Sequence, residues 1–190
     1  MRAELIRKAI HLLIALVPPI AAVYRSHAAM LLMIGTLVYL WAESMRYLGF
    51  SPPFFSSITS AVLRRKEEGR FALAPVTLGL GALLALLLFP PPLAAAAIFV
   101  LAFGDSAGTI IGKFLGRIRP AILAGKSIEG SLACFSASFL TVFIIFGDWK
   151  ISLAAAGAAL LVDLFPLGDL DNIIMPLAVG LCLSLFPILN

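Results

Sequence analysis

Four groups of ionisable and glycine residues interrupt an otherwise apolar chain, and their types suit the handling of phosphate and a divalent cation. The first is Gly104-Asp105-Ser106-Ala107-Gly108, running on to Gly112-Lys113 and Gly116-Arg117. An acid about seven residues inside an apolar helix, roughly 10 Å deep, is costly and faces a cavity or a charged partner. The glycines beside it permit close approach to the backbone, by a ligand or by another helix. The competing reading is helix packing with one buried ion pair.

The second group is Gly125-Lys126-Ser127-Ile128-Glu129-Gly130 at the start of an apolar run. A lysine beside free backbone N–H groups at a helix N-terminus suits a phosphate, Ser127 suits an N-cap, and Glu129 suits a metal. A phosphate-binding loop of the Gly-x-x-x-x-Gly-Lys-Ser/Thr type would need glycine at Pro120, so this is not one. The third group is Asp163 with Asp169-Leu170-Asp171-Asn172, oxygen ligands of the kind Mg²⁺ takes, though such residues also make turns and caps. The fourth pairs Arg7-Lys8 with His11 one helical turn on, and Glu43 with Arg46 three residues on; structural pairing and function weigh equally there.

The elements that position these groups must lie in a membrane. Of the 190 residues, 62% are hydrophobic and 13% charged, with a mean hydropathy of +1.08, too little polar surface for a water-soluble domain. The apolar runs predict an all-α polytopic bundle of seven spans, at about 5–24, 28–47, 71–89, 93–112, 127–147, 151–166 and 172–189. Strand-like alternation is absent. The whole of 1–190 reads as one transmembrane domain. The segment 48–70 forms its longest loop, in which Phe54, Ile58, Ala61 and Val62 predict an interfacial helix ahead of Arg64, Arg65 and Lys66. The basic N-terminus followed by an apolar run reads as a retained first span, not a cleaved leader. Cys134 and Cys182 read as buried small hydrophobes, and His27 carries no role.

Seven spans sort twelve of the 14 basic residues onto one side, from Arg2, Arg7 and Lys8 through the loops after spans two and four to Lys126; Arg25 and Lys150 fall on the other. Loop basicity marks the cytoplasmic side, so the N-terminus is expected inside, the C-terminus outside, and the four groups at the cytoplasmic face of the cell membrane. The net charge of +4 serves topology and contact with anionic lipid, and no nucleic-acid partner is expected. Glycine- and alanine-rich helix faces suit a homodimer.

Carboxylates for a metal and bases for phosphate are the parts list of nucleotide-dependent phosphoryl transfer, and the apolar setting points to a lipid acceptor. No nucleophile–base pair of hydrolase type is present. The same residues resemble the group of dolichol kinases, phytol kinases and CTP-dependent diacylglycerol kinases. The resemblance runs from Arg7-Lys8-x-x-His11 through Glu43-x-x-Arg46, Gly104-Asp105-Ser106-Ala107, Gly112-Lys113, Gly116-Arg117 and Gly125-Lys126-Ser127-x-Glu129-Gly130 to Asp171-Asn172-x-x-x-Pro176. Asp163 stands where that group is expected to carry glutamate.

The resemblance implies transfer of phosphate from a nucleoside triphosphate, commonly CTP, to a lipid alcohol (polyprenol, phytol-like or diacylglycerol), with a divalent cation. On this reading Asp171, Asn172 and Glu129 hold Mg²⁺. Lys113, Arg117 and Lys126 neutralise phosphate charge, and Ser106, Gly108, Gly112 and Ser127 receive the nucleotide. Asp105 is the catalytic base, with Glu129 and Lys126 beside it. Arg7, Lys8, His11, Glu43, Arg46 and Asp163 support the site. The nearest rival is the CDP-diacylglycerol synthase family, whose Lys-Thr-Trp-Glu-Gly and Asp-Arg-x-Asp blocks differ from Lys126–Gly130 and Asp169–Asn172 here. An ion-coupled transporter centred on Asp105 is a third reading, without the inverted repeat that would support it.

Overall fold

The computed structural model describes residues 2–50, 71–120 and 125–187. The interfacial helix expected within 48–70 falls largely outside the described residues. Among those described, every regular element is helical: α1 (Arg2–Leu13), α2 (Val17–Tyr47), α3 (Ala74–Leu88), α4 (Pro91–Phe99), α5 (Asp105–Phe114), α6 (Ile128–Phe146), α7 (Trp149–Leu164) and α8 (Asp171–Ser184).

Proline shapes the first of these. Pro18 and Pro19 have no N–H to give the carbonyls four residues back, and the helix tightens there into a 3₁₀ turn at Ile14–Leu16. The 41 residues Arg7–Tyr47 then form one apolar element broken at Tyr24, whose φ of −137° and ψ of 70° are not helical. Ile10 and Tyr39 line the same cavity, yet a straight helix would hold them roughly 43 Å apart. The element therefore folds back at Tyr24 into two arms, at the boundary expected between spans one and two.

Among the described residues, three elements are long and apolar enough to cross a membrane: Arg7–Tyr47, Pro91–Phe114 and Ile128–Phe146. The second joins α4 to α5 through a π-helical stretch, Val100–Gly104, that ends at Asp105. The helices α3, α7 and α8, at 15, 16 and 14 residues, fall short of the roughly 20 that a span needs. The expected spans at α3 and α8 outrun these helices because Pro75 and the turn after Ser184 set the ends, while α7 has the length expected of its span but lies two residues earlier, ended by Phe165-Pro166. Length and composition thus bear out an all-α membrane protein with three such spans, not the full count of seven.

Turns and caps fix the helix order. Gly147 (φ 69°) ends α6 in the left-handed region, and Asp148 caps α7 by accepting from the N–H groups of Lys150 (2.7 Å) and Ile151 (3.1 Å). Arg25, just past the bend, donates to the carbonyls of Leu86 and Phe89 at the end of α3. The core is built of small and aliphatic residues such as Leu93, Ala97, Leu101, Cys134, Ala155 and Val179. At the opposite pole the charged residues gather.

Candidate active site

A cavity of about 280 Å³ lies at that pole, lined by residues of α1, α5, α6, α7 and α8 and of the segments joining them. Arg7, Lys8, Asp105, Lys113, Arg119, Lys126, Asp163, Asp169 and Asp171 line it, so five bases and four acids from across the sequence share one enclosure.

Its deepest charges form a buried triad. Lys8 on α1 donates to the Oδ2 of Asp105 across 97 residues of sequence, and His11 Nε2 lies 3.1 Å from the same oxygen and 3.1 Å from the Leu101 carbonyl. Lys8, His11 and Asp105 are only 1%, 3% and 7% exposed, so each polar group depends on its neighbours in place of water. The π stretch serves this geometry: it leads into Asp105 and lies where Leu101 meets His11. Oδ2 is thus engaged twice, while Oδ1 has one long contact, Thr109 Oγ1 at 3.4 Å.

A second acid–base pair faces it. Lys126 Nζ lies 2.9 Å from Asp163 Oδ1 and also donates to the Asp163 backbone carbonyl, and Ser131 donates to Oδ2 at 3.1 Å. Asp163 comes from the last turn of α7. Lys126 stands just before Ser127, which caps α6 by accepting from Gly130 N at 3.1 Å. The cap sets where the chain turns into the helix and hence where the lysine points.

Neither a family model nor a solved structure matches the chain. Curated proteins do. The CTP-dependent diacylglycerol kinase 1 of Saccharomyces cerevisiae is 28% identical over 98 residues, 50% of this chain and 34% of that protein. Its Schizosaccharomyces pombe counterpart is 24% identical over 150 residues, 77% of this chain and 69% of that protein. The phytol kinase of Synechocystis sp. is 29% identical over 157 residues, 78% of this chain and 66% of that protein. The chain is a distant homologue of these lipid kinases. The match spans about a third of the first relative's length and about two thirds of the other two.

Within this lipid-kinase homologue, the expected metal trio is not brought together. Asp171 lines the cavity. Asn172 instead turns its amide to Thr77 Oγ1 (3.0 Å) and the Ala74 carbonyl (3.3 Å), joining α8 to α3. Glu129 accepts from the backbone N–H groups of Arg117 (2.9 Å) and Ile118 (3.2 Å), fixing the chain that leaves α5. Both residues do work that their types permit equally well: an amide clamp and an acid receiving free N–H groups.

The glycines also answer to packing. A Cβ on Gly104 would strike Ser138, one on Gly108 Cys134 and one on Gly130 the backbone of Gly108 and Gly112, while one on Gly112 would press tightly on Ser127 and Gly130. Spaced four apart, Gly104, Gly108 and Gly112 form the stripe by which the end of the π stretch and α5 lie against α6, and Gly108, Gly112 and Gly130 also line the cavity. Ser106 is buried, and its hydroxyl has no hydrogen-bond partner among the described residues. Arg117 is exposed and outside the cavity lining. Glu43, buried at 1%, holds Arg46 (2.6 and 2.8 Å) and the Ala72 N–H (2.7 Å), also away from the cavity.

Sequence reasoning left Arg119 as a topology charge, gave no site role to Thr109 or Ser131, and counted Asp169 among possible oxygen ligands without including it in the metal trio. All four line the cavity, and Arg119 spans its rim by donating to the carbonyls of Gly112 (2.5 Å) and Gly125 (2.6 Å). The available signal was position: Arg119 and Asp169 lie within the loops that carry Arg117 and Asp171.

Proposed function

We propose that the chain is an integral membrane lipid-alcohol kinase that transfers the γ-phosphate of a nucleoside triphosphate, CTP by homology, to the hydroxyl of a polyprenol, phytol-like alcohol or diacylglycerol. The observation that carries the reading is one charged cavity lined by both Lys8–Asp105 and Lys126–Asp163 in a homologue of lipid kinases.

The reaction assigns work to each wall. Lys126, Lys113, Arg119 and Arg7 lie around one enclosure and supply the positive charge that a triphosphate and its transition state require. The acceptor oxygen attacks the γ-phosphorus, the bond from that phosphorus to the β-bridging oxygen breaks, and the nucleoside diphosphate leaves. Asp105 Oδ1, the less engaged oxygen, takes the acceptor's proton, while Lys8 and His11 hold the carboxylate in place through Oδ2.

The donor set fits Mg²⁺ in the way that cation is held beside phosphates, by one or two carboxylates with oxygens from the nucleotide. Asp171 and Asp169 are the lining acids not assigned to a lysine pair, and among the described residues no cluster of three or more His, Cys, Asp or Glu forms a self-sufficient metal site. The cation would supply charge neutralisation at the phosphates; Glu129 and Asn172 are left to their structural roles.

The proposal includes the topology. Seven crossings, with the N-terminus and the cavity on the cytoplasmic side of the cell membrane, are supported by the helix ends. Residues of α1, α5, α6, α7 and α8 gather at the charged pole, while Arg25 holds the end of α3 and Lys150 stands in the first turn of α7, away from that cavity.

The deciding experiment supplies purified protein with CTP radiolabelled at the γ or the α position and a panel of lipid alcohols. Transfer of the γ label alone supports the kinase. Transfer of the α label with release of pyrophosphate means a cytidylyltransferase, and transfer of neither overturns both.

A further inference from the structure

The fold-back at Tyr24 leaves the two arms of Arg7–Tyr47 apart on one side. The space between them is a cavity of about 360 Å³, closed along its back by Pro75, Leu78 and Gly79 of α3. One arm lines it with Ile10, Leu13, Ile14, Val17 and Ile20, the other with Ala28, Leu31, Leu32, Gly35, Thr36 and Tyr39. Leu13, Ile20 and Leu31 are exposed at its mouth. Such a gap between apolar helices in a bilayer is filled by hydrocarbon or by another helix.

Its polarity argues for one occupant. Counted from the bend, Ile20 and Ala28 lie level at one end, and Ile10 and Tyr39 lie level at the other. Only that second end carries the Tyr39 hydroxyl. Ile10 is one helical turn from Arg7 on the same face, and Arg7 and Lys8 line the charged cavity. The groove therefore starts about 5 Å along α1 from the phosphate-handling residues and runs roughly 15 Å into the apolar layer, by helical rise.

We infer that this groove holds the hydrocarbon chain of the lipid acceptor, placing its hydroxyl at the charged cavity beside Lys8 and Asp105. The inference rests on the kinase reading for the identity of the lipid, but not for the existence of the binding site. Gly35 offers the means to test it, because it lines the groove and a Cβ built there meets nothing within 4 Å, so a substituted side chain starts from open space. Replacing glycine within a helix also favours the helix.

The test has two arms. In the first, wild type and Gly35→Phe are reconstituted in phosphatidylcholine vesicles with diacylglycerol carrying a diazirine midway along one acyl chain. They are irradiated, and adducts are mapped by peptide mass spectrometry. The expected result is labelling concentrated on Ile10–Ile20 and Ala28–Tyr39 in wild type and reduced several-fold in Gly35→Phe. Labelling of the outward-facing Ile144 should be the same in both. Labels spread evenly over exposed faces, a map unaffected by Gly35→Phe, or cross-links between two copies of the chain through these arms overturn the inference.

The second arm measures phosphoryl transfer. Displacing two or more methylenes from the groove should raise the KM for a long-chain acceptor about tenfold or more. The nucleotide KM should be unchanged, the penalty should shrink for a dihexanoyl acceptor, and Gly35→Ala should raise the long-chain KM far less than Gly35→Phe does. An active Gly35→Phe with wild-type KM for the long chain sinks the groove and leaves the kinase reading standing. A wild type that phosphorylates no lipid alcohol sinks the kinase reading, and the labelling map still decides the groove.

Discussion

Lys126 and Asp163, 37 residues apart, meet at 2.9 Å on the cavity wall, and Ser131 holds the second carboxylate oxygen of that acid. The lysine is thereby aimed before any anion arrives. Lys126→Ala removes a charge-assisted contact of about 1.5–3 kcal/mol, so kcat/KM for the nucleotide should fall about 10- to 100-fold. Folding should survive, since the side chain is only partly buried. Steady-state kinetics alongside a detergent melt check both halves; a mutant with wild-type nucleotide kinetics reduces Lys126 to a topology charge.

Asp163 should matter less than the lysine it holds. Lys126 also donates to the Asp163 backbone carbonyl, which substitution does not remove. Asp163→Ala should therefore raise the nucleotide KM by less than Lys126→Ala does. Asp163→Glu, the residue the resemblance leads one to expect there, should retain most activity. A loss in Asp163→Ala equal to or above that of Lys126→Ala would mean that the acid meets the reactants itself.

The glycine stripe makes a prediction about stability. A branched side chain at Gly130 would strike the backbone of Gly108 and Gly112, and overpacking of that kind costs about 1–3 kcal/mol. Gly130→Val should lower the melting temperature in detergent. Gly157→Ala, in α7 with open space around it, should leave the melt unchanged or raise stability by up to about 1 kcal/mol. Equal melting of Gly130→Val and wild type would show that α5 and α6 are not held at these residues.

How much of this was legible beforehand depends on whether a residue's partner was local. Ser127 as an N-cap, the break near Tyr24 and the acid buried at Asp105 follow from neighbours in sequence, and the structure has all three. The pairing of Lys8 with Asp105 across 97 residues needed the fold. So did the fates of Glu129 and Asn172: oxygen-bearing side chains serve metals and backbone groups alike, and the nearby free N–H groups and Thr77 decided the matter. The π stretch at Val100–Gly104 lies in a uniformly apolar run with no residue to announce it. Helix ends at α3 and α8 were overextended because apolar character continues past the point where the helix stops.

Topology is open to direct labelling. In a chain carrying Cys134→Ala and Cys182→Ala, Lys66→Cys and Arg117→Cys should react with an impermeant reagent only from the cytoplasmic side. Trp149→Cys should react only from the opposite side. Arg117 and Trp149 are both exposed, so lack of access would not be due to burial in protein. Reaction of Arg117→Cys and Trp149→Cys from the same side would overturn the seven crossings.

Asp105 is where a base and a structural anchor make different demands. The buried carboxylate is held by Lys8 and His11 through one oxygen and lines the cavity with the rest. Asp105→Asn keeps the shape and most hydrogen bonding but cannot accept a proton, so phosphoryl transfer should fall about 10²–10⁴-fold if Oδ1 is the base. The nucleotide KM and the Mg²⁺ dependence should then change little, because the proposed phosphate and cation contacts, Lys126, Lys113 and Asp171, stand elsewhere on the cavity lining. The substitution also leaves Lys8 buried beside an uncharged partner, which costs stability whatever the role in catalysis. Stability loss alone therefore decides nothing. The companion Lys8→Met removes the orphaned charge: in Lys8→Met/Asp105→Asn the melt should recover toward wild type while turnover stays low. Recovery of turnover together with stability would show that Asp105 acts only by neutralising Lys8. Partial rescue of Asp105→Asn by raised Mg²⁺ would instead make it a metal ligand, and the base would have to be sought at Asp163.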